Sequence, residues 1–269
     1  MMGAGREPVW PVDASVAHNA RVWNHWLGGR DNYAVDRQVG DHVAGLFPVI
    51  REVARADREF LGRAVRYLAG EAGIRQFLDI GTGLPTAENT HEVAQQMEPA
   101  SRIVYVDNDP LVLTHARALL TSTREGTTAY VAADAHDPEA ILLGAKRTLD
   151  FEEPVAVMML GILNFVLDGD DARRVVRRLM DAVPPGSYLA LTHPTAELGG
   201  EGNVAAMRFW NETATPPITA RSRAEVARFL DDLEPLPPGL VSCTRWRPAP
   251  NEAEDPPEVP QFGALARKP

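Results

Sequence analysis

The stretch Gln76-Phe77-Leu78-Asp79-Ile80-Gly81-Thr82-Gly83-Leu84-Pro85-Thr86 decides the fold. Its first half, QFLDI, has strand texture, and it runs straight into a glycine turn. Glycine at 81 and 83 lets backbone approach a ligand where a Cβ would collide. The spacing begins like the dinucleotide fingerprint G-x-G-x-x-G, but the third glycine position is Thr86, with Pro85 beside it. That third glycine allows close helix packing beneath a pyrophosphate, so its absence counts against a nicotinamide-dependent oxidoreductase. A tight strand-to-helix turn without a ligand is the plain alternative, and a glycine pair alone does not separate the two.

Downstream, apolar runs alternate with helical patterns: RIVYVD (102–107), TAYVAAD (128–134), VAVMML (155–160) and SYLALTH (187–193). Each gap accommodates a crossover helix, which predicts a parallel sheet with helices on both faces. Right-handed crossovers place the C-terminal strand ends on one edge, where open sheets bind ligands. Beyond Thr192 we expect a helix over Val204–Glu212 and a capping box at Ser222 and Glu225 opening another helix. A strand at Leu240–Trp246, a proline- and acid-rich loop at 248–260 and a final strand, QFGALAR, complete the pattern.

Upstream, residues 1–14 read as a flexible tail. Ser15 is positioned to cap a helix with the apolar row Val16, Ala20, Trp23 and Leu27, ended by Gly28-Gly29. A second short helix is expected from near Asp31, and a third from Val49 to Ala69. The organisation expected is therefore a tail (1–14), an N-terminal helical lid (15–73) and an α/β core (74–269), with lid and core forming one compact unit.

A chain of 269 residues with 45% hydrophobic content can bury a large core. Its longest apolar stretch, Val155–Leu167, is short of the about 20 residues a membrane span needs, and Asn164 interrupts it. The opening residues lack the apolar run of a secretory signal. Net charge of −10 disfavours nucleic acid and anionic membranes, leaving a small-molecule substrate as the simpler expectation. Cys243 stands alone, which excludes an intrachain disulfide and fits the cytoplasm. No metal-ligand spacing is present, and oligomeric state is not legible.

Three carboxylates fall at successive predicted strand ends. Asp79, beside Gly81, Thr82 and Gly83, can pair with the ammonium of an amino-acid tail, directly or through water. Asp107, followed by Asn108, lies about twenty residues beyond the glycine turn, where an acidic side chain meets ribose hydroxyls. Asp134, followed by Ala135, can accept from an adenine amino group. The alternatives are helix capping, by Asp107 or Asp109 before Pro110 and by Asp134 toward Asp137-Pro138. Jointly the three suit an adenosine ligand without phosphates.

These residues, with ARVWNHWLGGRDNYAVDR, VYVDNDPLVL, PGSYLALTH and FGALARKP, carry a resemblance. The chain resembles the class I S-adenosylmethionine-dependent methyltransferases, and more closely an actinobacterial S-adenosyl methyltransferase group of undefined substrate. The resemblance implies a Rossmann-like seven-stranded, mostly parallel sheet with the last strand antiparallel, an N-terminal helical extension, and S-adenosyl-L-methionine as cofactor. It also favours Asp31, Asn32 and Tyr33 folding over the cofactor, with the Tyr33 ring near the sulfonium, against a simple inter-helix turn capped by Asp31. Members often carry Leu-His-Phe where this chain has Leu163-Asn164-Phe165.

The implied activity is methyl transfer to a small-molecule acceptor; a noncatalytic S-adenosylmethionine-binding sensor or regulatory protein is the alternative that Asn164 keeps open. Methyl transfer needs positioning and desolvation more than a fixed dyad. A base helps where the acceptor is a hydroxyl or protonated amine, and the candidates are His193 and Tyr33, with Asn164 able to orient but not to take a proton. A purely structural His193 is the competing reading. Trp210, Phe209 and Met207 are candidates for an acceptor pocket or for core packing.

Overall fold

The computed structural model describes residues 13–86, 88–119, 121–249 and 255–269. Residues 1–12 of the expected tail and residues 250–254 of the acid-rich loop lie outside the described residues. A two-residue strand β1 (Ala17–His18) leads into helices α1 (Asn19–Trp26), α2 (Ala34–Leu46) and α3 (Ile50–Arg66), the last running into a π turn at Tyr67–Glu71. Alternation follows: β2 (Gln76–Ile80), α4 (Thr90–Met97), β3 (Arg102–Asp107), α5 (Pro110–Leu119), β4 (Thr127–Ala132) and α6 (Pro138–Ala145). It continues with β5 (Ala156–Leu160), α7 (Gly169–Asp181) and β6 (Tyr188–Pro194). The remainder is α8 (Gly200–Thr213), β7 (Ala214–Thr215), α9 (Arg223–Ala227), β8 (Glu234–Pro235), β9 (Val241–Ser242) and β10 (Gln261–Arg267).

The sheet runs β4-β3-β2-β5-β6-β10, parallel through β6, with β10 antiparallel to it. Strand parity explains why the runs read as continuously apolar. Phe77, Ile103, Tyr105, Met158 and Ala190 point to one face, packed against α3 residues such as Phe60 and Ala64. Leu78, Val104, Val157, Met159 and Leu189 point to the other, against Ile141 of α6 and Leu179 of α7. The fold is the expected Rossmann-like α/β architecture with its N-terminal helices.

Four sequence expectations are corrected. The sheet has eight strands rather than seven, because both β8 and β9 pair with β10. Pro237, Pro238 and Gly239 separate these fragments, and proline has no N–H to donate to a ladder. The expected strand over 240–246 shrinks accordingly to Val241–Ser242, followed by a 3-10 turn at Cys243–Arg245. At the other end, Ser15 bonds Asp13 rather than capping α1. Ala17–His18 instead extend in parallel beside Ala214–Thr215, and α1 buries Ala20, Val22 and Trp26 while Val16 is exposed. Finally, α2 starts after Tyr33, not near Asp31, since the Asp36 carboxylate accepts the Tyr33 N–H.

Candidate functional site

The glycine turn after β2 sits at the C-terminal edge of the sheet. Gly81 (φ +77°) donates its N–H to Val106 O at 2.8 Å, and Gly83 (φ +66°) donates to Asp107 Oδ2 at 3.0 Å. Both dihedrals lie in the left-handed region that favours glycine. At Gly81 an added Cβ would strike Ile162 at 2.6 Å. At Gly83, which lines the cavity, it would meet no other protein atom within 4 Å. The turn thus leaves open a space that a side chain would fill, as a closely approaching ligand requires.

Two hollows meet over this turn, sharing Asn19, Ala20, Gly81, Gly83, Gly161 and Phe165. The outer one is lined by Asp107, Asn108, Asp134, Ala135, His136 and His18. Asp107 Oδ1 accepts the Asp109 N–H at 2.9 Å, and burial raises its pKa. Asp109 caps α5 through the Leu111 N–H at 2.8 Å. Burial also acts to raise the Asp134 pKa, but hydrogen bonds from His136 and Asn108 outweigh it and hold the carboxyl low. Helix α6 is capped by Asp137, not Asp134.

The inner hollow contains Asp79, Thr82 and Leu84. Burial pushes the Asp79 carboxyl up to about 6, against the Thr90 hydroxyl, which donates to Oδ2 at 2.6 Å, and the positive charge of Arg58. Asn164, in the 3-10 turn after β5, also lines this hollow; its side-chain Oδ1 is buried and has no hydrogen-bond partner. Trp210 and Met207 contribute to the wall, while Phe209 stacks on His42 at 4.0 Å and does not.

The structure places four other candidates outside both linings. Asp31 and Asn32 instead hydrogen-bond Asn24 Oδ1, from the Asp31 N–H at 3.0 Å and Asn32 Nδ2 at 2.9 Å, and it is Asn24 that lines the hollow. Tyr33 is exposed, with the Arg21 guanidinium 5.1 Å from its ring centroid. His193 is fully buried, Nδ1 2.8 Å from Pro194 O and Nε2 2.8 Å from Arg221 Nη1. Because arginine only donates, Nε2 accepts and Nδ1 carries the proton. Burial pushes this histidine down to about 4, so the ring is neutral and both nitrogens are engaged away from the cavity.

Sequence reasoning missed Asp57, a 7% exposed carboxylate of α3 in the inner hollow. Gln261 Nε2 donates to its Oδ1 at 3.2 Å, Thr192 also hydrogen-bonds it, and burial raises its pKa. The available signal was spacing: Asp57 falls on the same stripe as Val53, Ala54, Leu61 and Ala64, which are buried. Among the described residues there is no cluster of metal-ligating side chains, and no helix long and apolar enough to cross a membrane.

A family model for S-adenosyl methyltransferases matches residues 6–269. Among solved structures, a DUF574 family protein of Streptomyces avermitilis is 45% identical, covering 96% of this chain and 99% of that one, with a TM-score of 0.92. A Thermobifida fusca protein is 41% identical over 97% of this chain and 99% of its own, with a TM-score of 0.87. The N-methyltransferase NodS of Bradyrhizobium japonicum, solved with S-adenosyl-L-homocysteine, shares the fold at 12% identity, covering 81% and 88%, with a TM-score of 0.50. No curated protein matches the chain.

Proposed function

Since this chain belongs to the S-adenosyl methyltransferase family and is an S-adenosylmethionine-dependent methyltransferase, we propose that it holds this cofactor across the glycine turn and methylates a small-molecule acceptor in the inner hollow. The observation that carries the reading is the joining of the two hollows at Gly81 and Gly83, with a carboxylate at each stage of the path. In the outer hollow Asp107 accepts from the ribose hydroxyls, and Asp134, beside Asn108 and Ala135, accepts from the adenine amino group. In the inner hollow Asp79 faces the ammonium of the amino-acid tail over Gly81, Thr82 and Gly83. Asn24, held by Asp31 and Asn32, closes the tail end.

When bound, the cofactor supplies an electrophilic methyl group on a sulfonium. The inner walls contribute by excluding water, since a charge that disappears in the transition state is favoured by desolvation. Titration calorimetry with S-adenosyl-L-homocysteine tests the assignment. Wild-type protein binds it, and Asp107→Ala, which removes charge-assisted hydrogen bonds, binds at least about tenfold more weakly. Wild-type affinity in that variant would overturn the ribose assignment.

A further inference from the structure

The inner hollow combines broad aromatic faces with a few buried polar side chains. Three indoles line it, with ring centroids 5.7 Å apart for Trp23–Trp26 and 6.4 Å for Trp26–Trp210. The N–H of Trp26 is spent on Gly40 O at 3.0 Å and that of Trp210 on Pro216 O at 2.9 Å, so both present apolar faces. The side-chain amide of Asn203 is spent on Thr195 O and Leu198 O, and that of Gln261 on Asp57 and Thr192. Against these apolar faces stand the buried Asp57 carboxylate, held by Gln261 and Thr192, and Asn164 Oδ1, which is buried without a partner. A buried acceptor without a partner is costly, and a polar ligand group that reaches it recovers that cost.

We infer that the inner hollow takes a flat, aromatic acceptor bearing a hydroxyl group, with Asp57 as the carboxylate that receives its proton. Aromatic walls favour a planar ring by stacking and edge contacts. In the transfer, an oxygen lone pair forms the bond to the methyl carbon, the carbon–sulfur bond breaks with its electrons going to sulfur, and the hydroxyl proton passes to Asp57. The charged and titratable groups around Asp57 are Arg58, beside it on α3, and the buried Cys243 thiol. Gln261 and Thr192 hold the carboxylate in place from β10 and β6. This inference rests on the cofactor assignment above.

Equilibrium dialysis against 7-hydroxycoumarin and 7-methoxycoumarin, with the protein saturated by S-adenosyl-L-homocysteine, tests it. Wild type should retain the hydroxyl compound at least about tenfold better than its ether, as expected for a hydrogen bond to a charged group. Asp57→Leu should erase that preference while binding S-adenosyl-L-homocysteine as wild type does. Asp57→Asn, which keeps the shape of the side chain, should reduce the preference and serves if the leucine variant does not fold. Retention of neither coumarin, equal retention of both, or undiminished preference in the folded Asp57 variants overturns the inference. Failure of wild type to bind S-adenosyl-L-homocysteine overturns the cofactor assignment instead, so the two failures are separable.

Discussion

Gly81 and Gly83 stand two residues apart and share a backbone conformation, yet a methyl group at each has a different consequence. Gly81→Ala drives its Cβ into Ile162, so it should cost stability beyond the about 1–2 kcal/mol of a left-handed non-glycine residue. Gly83→Ala should cost only that backbone penalty while abolishing S-adenosyl-L-homocysteine binding. Paired thermal melts and calorimetry separate them, and a Gly83→Ala protein that binds normally contradicts the turn's assignment. Asp79 offers a sharper case. Its carboxyl is raised from 3.8 to about 6, so the native state favours the protonated form, and that stability is lost as pH climbs between those values. That difference corresponds to about 3 kcal/mol. Asp79→Asn should therefore melt higher than wild type at pH 8 yet bind S-adenosyl-L-homocysteine more weakly. Wild-type binding should tighten as pH rises through about 6 as an ammonium partner draws the proton off, with Arg58, Asp107 and Tyr105 the charged and titratable neighbours. A variant that melts lower at pH 8 refutes this. The glycines and strand-end carboxylates were legible because local spacing defines them. Asp57 was hidden, because only tertiary packing brings α3 against β10 and the cavity.

At the scale of elements, the buried pair Arg21–Asp36 organises the N-terminal segment. Asp36 Oδ2 accepts from Arg21 Nε at 2.9 Å and from the Tyr33 N–H at 2.8 Å, while Oδ1 accepts the His18 N–H at 3.0 Å. One carboxylate thus ties β1, α1 and the start of α2 together. Asp36→Ala leaves a buried guanidinium unpaired and should cost about 3–5 kcal/mol. Hydrogen exchange should show the loss concentrated in 17–46, with β2 to β6 little changed; uniform loss would contradict a local role. Periodicity revealed α3 and the long strands, whose apolar residues exceed a turn's worth of evidence. It failed at β1 and at the β8–β9 edge, because two-residue pairings are set by what lies opposite in space, and no pattern that short has a period.

Across the whole molecule, one sheet edge gathers the ends of β2, β3 and β5, and α1, α3 and α8 wall the space above it with Trp23, Asp57 and Trp210. The fold class was readable from alternating runs, and the family from motifs spread along nearly the full chain. The acceptor side was not, because its polar balance depends on which donors are already consumed. The decisive measurement is a structure of the protein with S-adenosyl-L-homocysteine bound. It should show adenine beside Asp134, ribose on Asp107, the amino-acid tail by Asp79, and the sulfur facing Asn164 and Asp57 across the inner hollow. A nucleoside placed away from Asp107, or a sulfur turned from that hollow, would contradict it.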